Sequence, residues 1–339
     1  MSEKINGQTV NFHAPPHIIG HSSIVGPEEA RGPLSGKFDL TYQDPKCGKN
    51  TWEKGEKKMA SDAINLAIDR SGVAEKNIDF MLGGDLLDQI ATANYIARDF
   101  SIPFFGLYGA CSTMVESLSL GSILIDGGYA KAVLGFSSSH YQTSERQYRT
   151  PLEYGDQYPP YKQWTVTGAG SYLLGTMGGE VWITHSTVGK VLDLGIKDPG
   201  NMGAAMAPAA ADTIMQHFMD VSRGPQDYDL IVTGDLGRTG KKLLDSLLRE
   251  NDIFLEDKLQ DCGDIILKNS NKYGAGGSGC AASATVFAAH FIPEIYFGNI
   301  YRILLIGTGA LMNPVLLQQK ESIPCIAHAV SVEKVPEES

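Results

Sequence analysis

One motif occurs twice in this chain, and the repetition restricts the possible folds more than any other feature. Asp79-Phe80-Met81-Leu82-Gly83-Gly84-Asp85-Leu86 lies over Asp229-Leu230-Ile231-Val232-Thr233-Gly234-Asp235-Leu236, 150 residues later. Asp, Gly, Asp and Leu fall at matching places between apolar residues. A second pair follows at an offset of 170 residues. Gly109-Ala110-Cys111, an apolar helical stretch and Gly128 lie over Gly279-Cys280-Ala281, another helical stretch and Gly298. Each stretch runs into an apolar segment of strand character, Ala130 to Phe136 and Ile300 to Ile306. Two ordered matches predict a duplicated α/β unit, with halves at residues 1–178 and 179–339. Chance similarity between short apolar segments is the alternative.

The first half of the repeat has a reactive residue type at a telling place. Ile102 to Tyr108 reads as a buried strand. Met114, Leu118, Leu120, Ile123, Leu124 and Ile125 recur at helical spacing until Gly127-Gly128. Cys111 therefore stands where a strand hands over to a helix. The first N–H groups of a helix lack intrahelical partners and present partial positive charge. A thiol there is expected to have a lowered pKa and to be a potential nucleophile. The same amides can instead hold a carboxylate that never reacts. A small buried cysteine flanked by the cap residues Ser112 and Thr113 is the third reading.

The remaining segments fit an α/β chain. Thr9 to Ile19 is a candidate strand, and Gly26 to Asn50 an irregular excursion. Trp52 to Ser71 is a helix with Met59, Ala63, Leu66, Ala67 and Ile68 on one face. Ile78 to Leu82 is a strand, Asn94 to Phe100 a helix. Ser137-Ser138-Ser139-His140 comes after Phe136, at the carboxyl end of a strand, where crevices form in α/β sheets. Tyr141 to Trp164 reads as an irregular loop covering a site. Val166 to Leu174 is a small-residue apolar run, and Val181 to Thr187 a further strand.

Composition excludes several classes. The formal charge of −11 on 339 residues argues against a nucleic-acid partner. The 38 glycines cluster at the ends of apolar runs, as in a turn-rich folded protein. Cys47, Cys111, Cys262, Cys280 and Cys325 are scattered, odd in number and without a CxxC pair, so free thiols and no metal site are expected. The polar N-terminus lacks a signal-peptide core, and no run reaches the ~18 apolar residues of a spanning helix.

A duplicated α/β unit with a cysteine at this junction resembles the thiolase and ketoacyl-synthase superfamily. More narrowly, the chain is similar to the stage V sporulation protein AD family of endospore-forming bacteria. The matching stretches are Ala91-Thr92-Ala93-Asn94-Tyr95-Ile96-Ala97-Arg98, Gly109 to Thr113, Met206-Ala207-Pro208-Ala209-Ala210-Ala211-Asp212-Thr213-Ile214, and Gln318 to His328. The resemblance implies a thiolase-like, duplicated five-layer αβαβα fold and a homodimer. It also implies dipicolinic acid (pyridine dicarboxylate) as ligand, with or without calcium, and a part in its uptake into the developing spore. Other spore-membrane transport proteins are the implied partners. The implied location is peripheral, on the spore inner membrane, and otherwise cytoplasmic. No cofactor is implied.

Condensing enzymes of the superfamily pair their cysteine with His and His, or His and Asn, from the second half, for proton handling and oxyanion stabilisation. Here Gly234-Asp235 follows the strand where the first partner belongs, and Gly276-Gly277-Ser278-Gly279 stands where the second belongs. The glycine turn of the oxyanion hole corresponds to Gly307-Thr308-Gly309-Ala310. No catalytic residue is therefore expected, and Cys111 is a vestigial nucleophile position. A pocket of N–H donors without proton-transfer groups suits a bound carboxylate. One helix terminus supplies ~0.3–1 kcal/mol, whereas millimolar binding needs about 4 kcal/mol. The candidate ligand positions are thus Cys111, Ser112, Ser139, His140, Arg149 or Arg146, Trp164 as a stacking surface, Asp235, Ser278 and Gly309. Each has a plainer role. His140 would be a surface or satisfied histidine, and Arg146 and Arg149 would be solvated or paired with Glu145 and Glu153. Trp164 would be core, and Asp85 and Asp235 turn or cap residues. The rival functions are a cysteine-dependent acyl-CoA or acyl-carrier condensing or transfer enzyme, and a scaffold for membrane partners.

Overall fold

The computed structural model describes residues 7–148 and 159–335, together with the short strand Glu3–Lys4. Ten strands form its sheet path: β1 (His17–Val25), β2 (Phe80–Gly84), β3 (Phe104–Gly106), β4 (Ala132–Ser139), β5 (Gly168–Gly175), β6 (Val181–Thr187), β7 (Leu230–Thr233), β8 (Leu259–Asp261), β9 (Arg302–Ala310) and β10 (Cys325–Lys334). Their order is β8-β7-β9-β10-β6-β1-β5-β4-β2-β3.

The duplication is visible in that order. The first five strands stand as β3-β2-β4-β5-β1 and the last five as β8-β7-β9-β10-β6. Directions match as well. β2 is parallel to β3 and β4, while β4–β5 and β5–β1 are antiparallel. β7 is parallel to β8 and β9, while β9–β10 and β10–β6 are antiparallel. The halves meet where β1 touches β6 at His17 and Trp182.

The repeated motif has the same task in both halves. The Asp79 carboxylate accepts the backbone N–H groups of Lys131 and Ala132 at 2.6 and 3.1 Å. Asp229 accepts those of Tyr301 and Arg302 at 2.7 and 2.9 Å. Each aspartate thus ties down the start of the neighbouring parallel strand, satisfying amides that the ladder leaves open.

Strand side chains alternate between two faces, and here both faces are buried. Met81, Leu134 and Leu173 pack under Met59 and Ile64 of α1 (Trp52–Ser71) and Ile96 of α2 (Ala91–Ala97). Their neighbours Leu82, Val133 and Leu174 face inward, onto Val115 and Leu118 of α3 (Thr113–Asp126). In the second half, Ile303, Leu305 and Val330 face inward too, toward the same central cluster. Leu304, Ile306 and Ala329 face outward, onto Met206 and Ile214 of a helix at Met202–Val221 and Leu244 and Leu248 of another at Gly237–Arg249. The result is helix, sheet, helix, sheet, helix, with the Cys111 turn feeding the central layer.

Ile102 to Tyr108, read as a buried strand, instead contains the short edge strand β3, with Phe105 and Tyr108 exposed, because no further strand among the described residues covers that edge. The serines at 137–139 are the last three residues of β4, at its carboxyl end as expected. Their hydroxyls are satisfied there by the Cys280 carbonyl, the Glu56 carboxylate and the Val166 carbonyl, so burial costs little. Tyr141–Tyr148 is a helix, not irregular chain. Its buried residues, Thr143, Ser144 and Glu145, are polar, and a search for an apolar stripe does not see such a face.

Near the start of the chain, the helical turn Pro27–Ala30 inserts Glu29 into the interior. One carboxylate oxygen accepts the Thr167 N–H at 2.9 Å, and the other has no partner. Burial raises its pKa to about 7 from 4.5. The sign follows from linkage. Between pH 4.5 and 7 the folded state holds a proton on Glu29 that the unfolded state has lost, so stability falls as pH rises through that window. Glu29→Gln removes this dependence. Relative to the parent, the variant is expected to gain on the order of 3 kcal/mol between pH 4.5 and pH 8. Urea melts at the two pH values measure it, and an equal difference at both would refute the assignment.

Candidate active-site remnant and ligand chamber

Cys111 sits in a tight turn, Ala110–Ser112, that leads into α3. Ala110 has φ of 50°, in the left-handed region that side chains with a Cβ seldom adopt. Three bonds hold the turn. The Ser112 hydroxyl donates to the Gly109 carbonyl at 2.7 Å, and the Thr113 hydroxyl to the Ala110 carbonyl at 2.7 Å. The Cys280 thiol donates to the same Ala110 carbonyl at 3.0 Å. Gly309 of β9 backs the turn so closely that a Cβ on it would lie 2.3 Å from the Gly109 oxygen.

Asp235, fully buried, is the group that faces the sulfur. Its Oδ1 accepts from the Thr308 hydroxyl at 2.8 Å. Its Oδ2 accepts from the Gly279 N–H at 2.8 Å and from the Ser278 hydroxyl at 3.2 Å. Gly279, with φ of +98°, adopts a backbone that presents this N–H and that few other residues would accept. The Cys111 thiol faces the same carboxylate. Burial raises the Asp235 pKa, and the Gly279 amide, the thiol and the two hydroxyls oppose the rise. For the thiol itself the raising causes win, with the Gly279 amide against them. Burial pushes it well above its ordinary range, and the Asp235 charge pushes it further.

The lowered thiol pKa expected from the helix terminus is therefore corrected. A helix end is worth at most ~2 kcal/mol. Complete burial shifts a pKa by up to about 3–5 units, and an adjacent carboxylate acts with it. The sulfur is a thiol, not a thiolate.

The free space beside Cys111 is small, about 30 Å³, walled in part by Ala110, Tyr148, Met202, Ser278 and Met312. A larger chamber of about 420 Å³ shares Leu86, Ala110, Tyr148 and Met312 with it and adds Asp85, Asp88, Tyr108 and Asn313. Gln89 and Ile90, also in its wall, have φ of 60° and 46°. Strained backbone thus occurs on both sides of the chamber. Among the described residues, neither wall contains a lysine, arginine or histidine.

Of the positions singled out in the sequence, Cys111, Asp235 and Ser278 come together, and Gly309 supports their turn. The Ser112 hydroxyl is used within the turn. Ser139 faces another way: its hydroxyl donates to the Val166 carbonyl at 2.7 Å and accepts the Ala281 N–H at 3.1 Å. His140 bonds the Pro45 carbonyl at 2.8 Å, and burial lowers its pKa to about 4, so its ring is neutral and turned to the Gly26–Asn50 excursion. Trp164 stacks on Tyr141 at 3.7 Å between ring centres, with Tyr273 against it edge-on. Arg146 pairs with Glu53. Arg149 and Glu153 lie outside the described residues. Asp85 caps its own loop, accepting the Leu87 and Ala93 N–H groups at 2.7 Å each.

Glu56 escaped the sequence reading. It is buried on the packed face of α1, bonded to Ser138 and Thr143, and burial followed by the nearby Asp85 charge raises its pKa. The signal was present: an acidic residue in register with Met59, Ala60, Ala63 and Ala67. Cys280 was visible in the repeat, but its bond to the Cys111 turn was not.

Among the described residues, no group of three or more His, Cys, Asp or Glu side chains is placed to hold a metal ion, and no helix is long and apolar enough to cross a membrane.

Three comparisons place the chain. The family model described as stage V sporulation protein AD matches residues 6–333. The stage V sporulation protein AD of Bacillus subtilis (strain 168) is 46% identical over 332 residues, covering 98% of each chain. Among solved structures, 3-oxoacyl-[acyl-carrier-protein] synthase III from Aquifex aeolicus VF5 superposes with a TM-score of 0.56 at 14% identity, over 94% of this chain and 99% of that one. A single-residue variant of OleA from Xanthomonas campestris reaches 0.59 at 14% identity, over 95% and 97%. Likeness at that identity establishes the thiolase-like fold and nothing about chemistry.

Proposed function

The chain belongs to the stage V sporulation protein AD family, and from that premise we propose that it binds dipicolinic acid without transforming it, as a step in uptake into the developing spore. One observation carries the reading. The cysteine that would be the nucleophile is held protonated by burial and then by the Asp235 charge, and among the described residues neither wall has a histidine or lysine to take its proton.

The ligand belongs in the outer chamber. The space at Cys111 admits one or two waters, whereas about 420 Å³ lies within the ~300–1,000 Å³ of small-molecule sites. Tyr148, Leu86 and Met312 offer apolar surface for a flat ring, and Asn313 a polar group. Electrostatics selects the form of the ligand. Asp88 is exposed at this chamber and Asp85 lies behind it, so a bare dianion meets like charge. Calcium cancels that charge in the chelate.

Calorimetric titration with dipicolinate and with its calcium chelate tests this. Saturable binding is expected, tighter for the chelate, with affinity falling at least tenfold in Tyr148→Ala. At a hundred times the dissociation constant the ligand should add ~2.7 kcal/mol of stability. No binding of either form, or equal affinity in Tyr148→Ala, would remove the proposal. The same reading includes a homodimer formed through the edge strand β3, beside which Phe105 and Tyr108 are exposed. Light scattering on the titration sample reads the mass, and a monomer would discard that part. Peripheral attachment at the spore inner membrane, next to membrane-embedded transport proteins, completes it. Co-fractionation with spore membranes, lost after a high-salt wash, is its check.

A further inference from the structure

We propose a second binding site, in the cleft between the start of α1 and α2, for an anion that carries an apolar body: a phosphate or carboxylate head on an aromatic or acyl group. The cleft encloses about 410 Å³ and is separate from the Cys111 chamber, with Leu87 standing in the wall of both.

Charge is the first argument. Lys54, Lys57 and Arg98 line the cleft against a single acid, Glu53. The acids nearby do not cancel them. Asp99 is shared by Lys57 and by Arg98 at 3.4 Å, and Glu53 is already taken by Arg146. Lys54 has no ion pair and no side-chain hydrogen bond among the described residues, and it is exposed. A locally cationic cleft on a chain of net charge −11 concentrates anions against the global sign.

The apolar part is the second argument. Tyr95 lies in the wall with more than half of its surface exposed, and the Arg98 guanidinium sits 4.9 Å from its ring centre. Leu87 and Ala91 add aliphatic surface. An aromatic or acyl body would cover all three, beside a cation that binds the head.

Thr92 is the third. It lines the cleft at 4% exposure, and its hydroxyl has no hydrogen-bond partner. A buried hydroxyl left unpaired is costly, and a ligand oxygen would satisfy it. The start of α2 is not itself the anion holder, because the Asp85 carboxylate already occupies the Ala93 N–H. The side-chain cations and Thr92 do the binding.

Calorimetry with phenyl phosphate and inorganic phosphate tests the site. Flotation with phosphatidylglycerol or phosphatidylcholine vesicles separates a lipid source of the same chemistry from a free one. Phenyl phosphate is expected to bind at least tenfold more tightly than inorganic phosphate. The double variant Lys54→Ala/Arg98→Ala should weaken it at least tenfold, and Thr92→Val severalfold. Tyr148→Ala, in the other chamber, should leave it unchanged. Flotation with phosphatidylglycerol alone, lost in the same double variant, would support the site with a lipid as its source. Should the double variant fail to fold by circular dichroism, Lys54→Gln on the exposed surface carries the test, with a loss of threefold or more expected. Absence of binding to both phenyl phosphate and phosphatidylglycerol, or binding indifferent to Lys54→Gln and to the double variant, would overturn the proposal.

Discussion

Gly309→Ala is expected to destabilise the fold by about 3 kcal/mol or more. The added methyl would lie 2.3 Å from the Gly109 carbonyl oxygen and 3.1 Å from the Ser112 hydroxyl. The nearer atom is backbone, so no side-chain rotation relieves the contact. Neither partner yields easily. Gly309 pairs with Ile326 within the long antiparallel ladder of β9 and β10. The opposing turn is pinned by Ser112, Thr113 and Cys280 and already contains Ala110 at positive φ. Gly36→Ala is the control. There φ is +81° and nothing lies within 4 Å of the new carbon, so only the conformational cost of about 1 kcal/mol is expected. Urea unfolding of both variants reads the difference. A loss below about 1 kcal/mol in Gly309→Ala would mean that the turn and β9 are not locked together as described.

The second large effect is chemical. At pH 8, iodoacetamide should alkylate Cys111 in the native protein at least about 100-fold more slowly than in the urea-unfolded chain, followed by peptide mass spectrometry. The thiolate is the reactive species, and each unit by which a pKa is raised above the ambient pH removes about tenfold of it. Burial is the largest cause of the suppression and the Asp235 charge the next. Asp235→Asn should therefore speed labelling without bringing it to the unfolded rate. Incubation with an acyl-CoA should leave no mass adduct on Cys111. Labelling within tenfold of the unfolded rate, or a stable acyl adduct, would mean a working nucleophile and would favour the acyl-transfer alternative that the fold by itself permits.

The residues differ in how much they revealed before the chain was folded. The duplicated Asp-Gly-Asp-Leu pattern was readable because a glycine turn and alternating apolar residues are settled by near neighbours. The task that Asp79 and Asp229 share was not readable, since their partners lie 52 and 72 residues further on. The cysteine at a strand-to-helix junction was readable from near neighbours as well. His140 and Trp164 were not, since nothing local decides that one ring turns to Pro45 and the other to Tyr141. The ionisation of Cys111 was the least readable. It depends on Asp235, 124 residues further along the chain, and on the exclusion of water by layers drawn from both halves. Steric preferences and hydrophobic periodicity act over a few residues, so sequence by itself determined the strands, the repeat and the place of the thiol. Solvation and charge act through space, so only tertiary packing decided that the thiol stays protonated and that the chamber beside it is acidic.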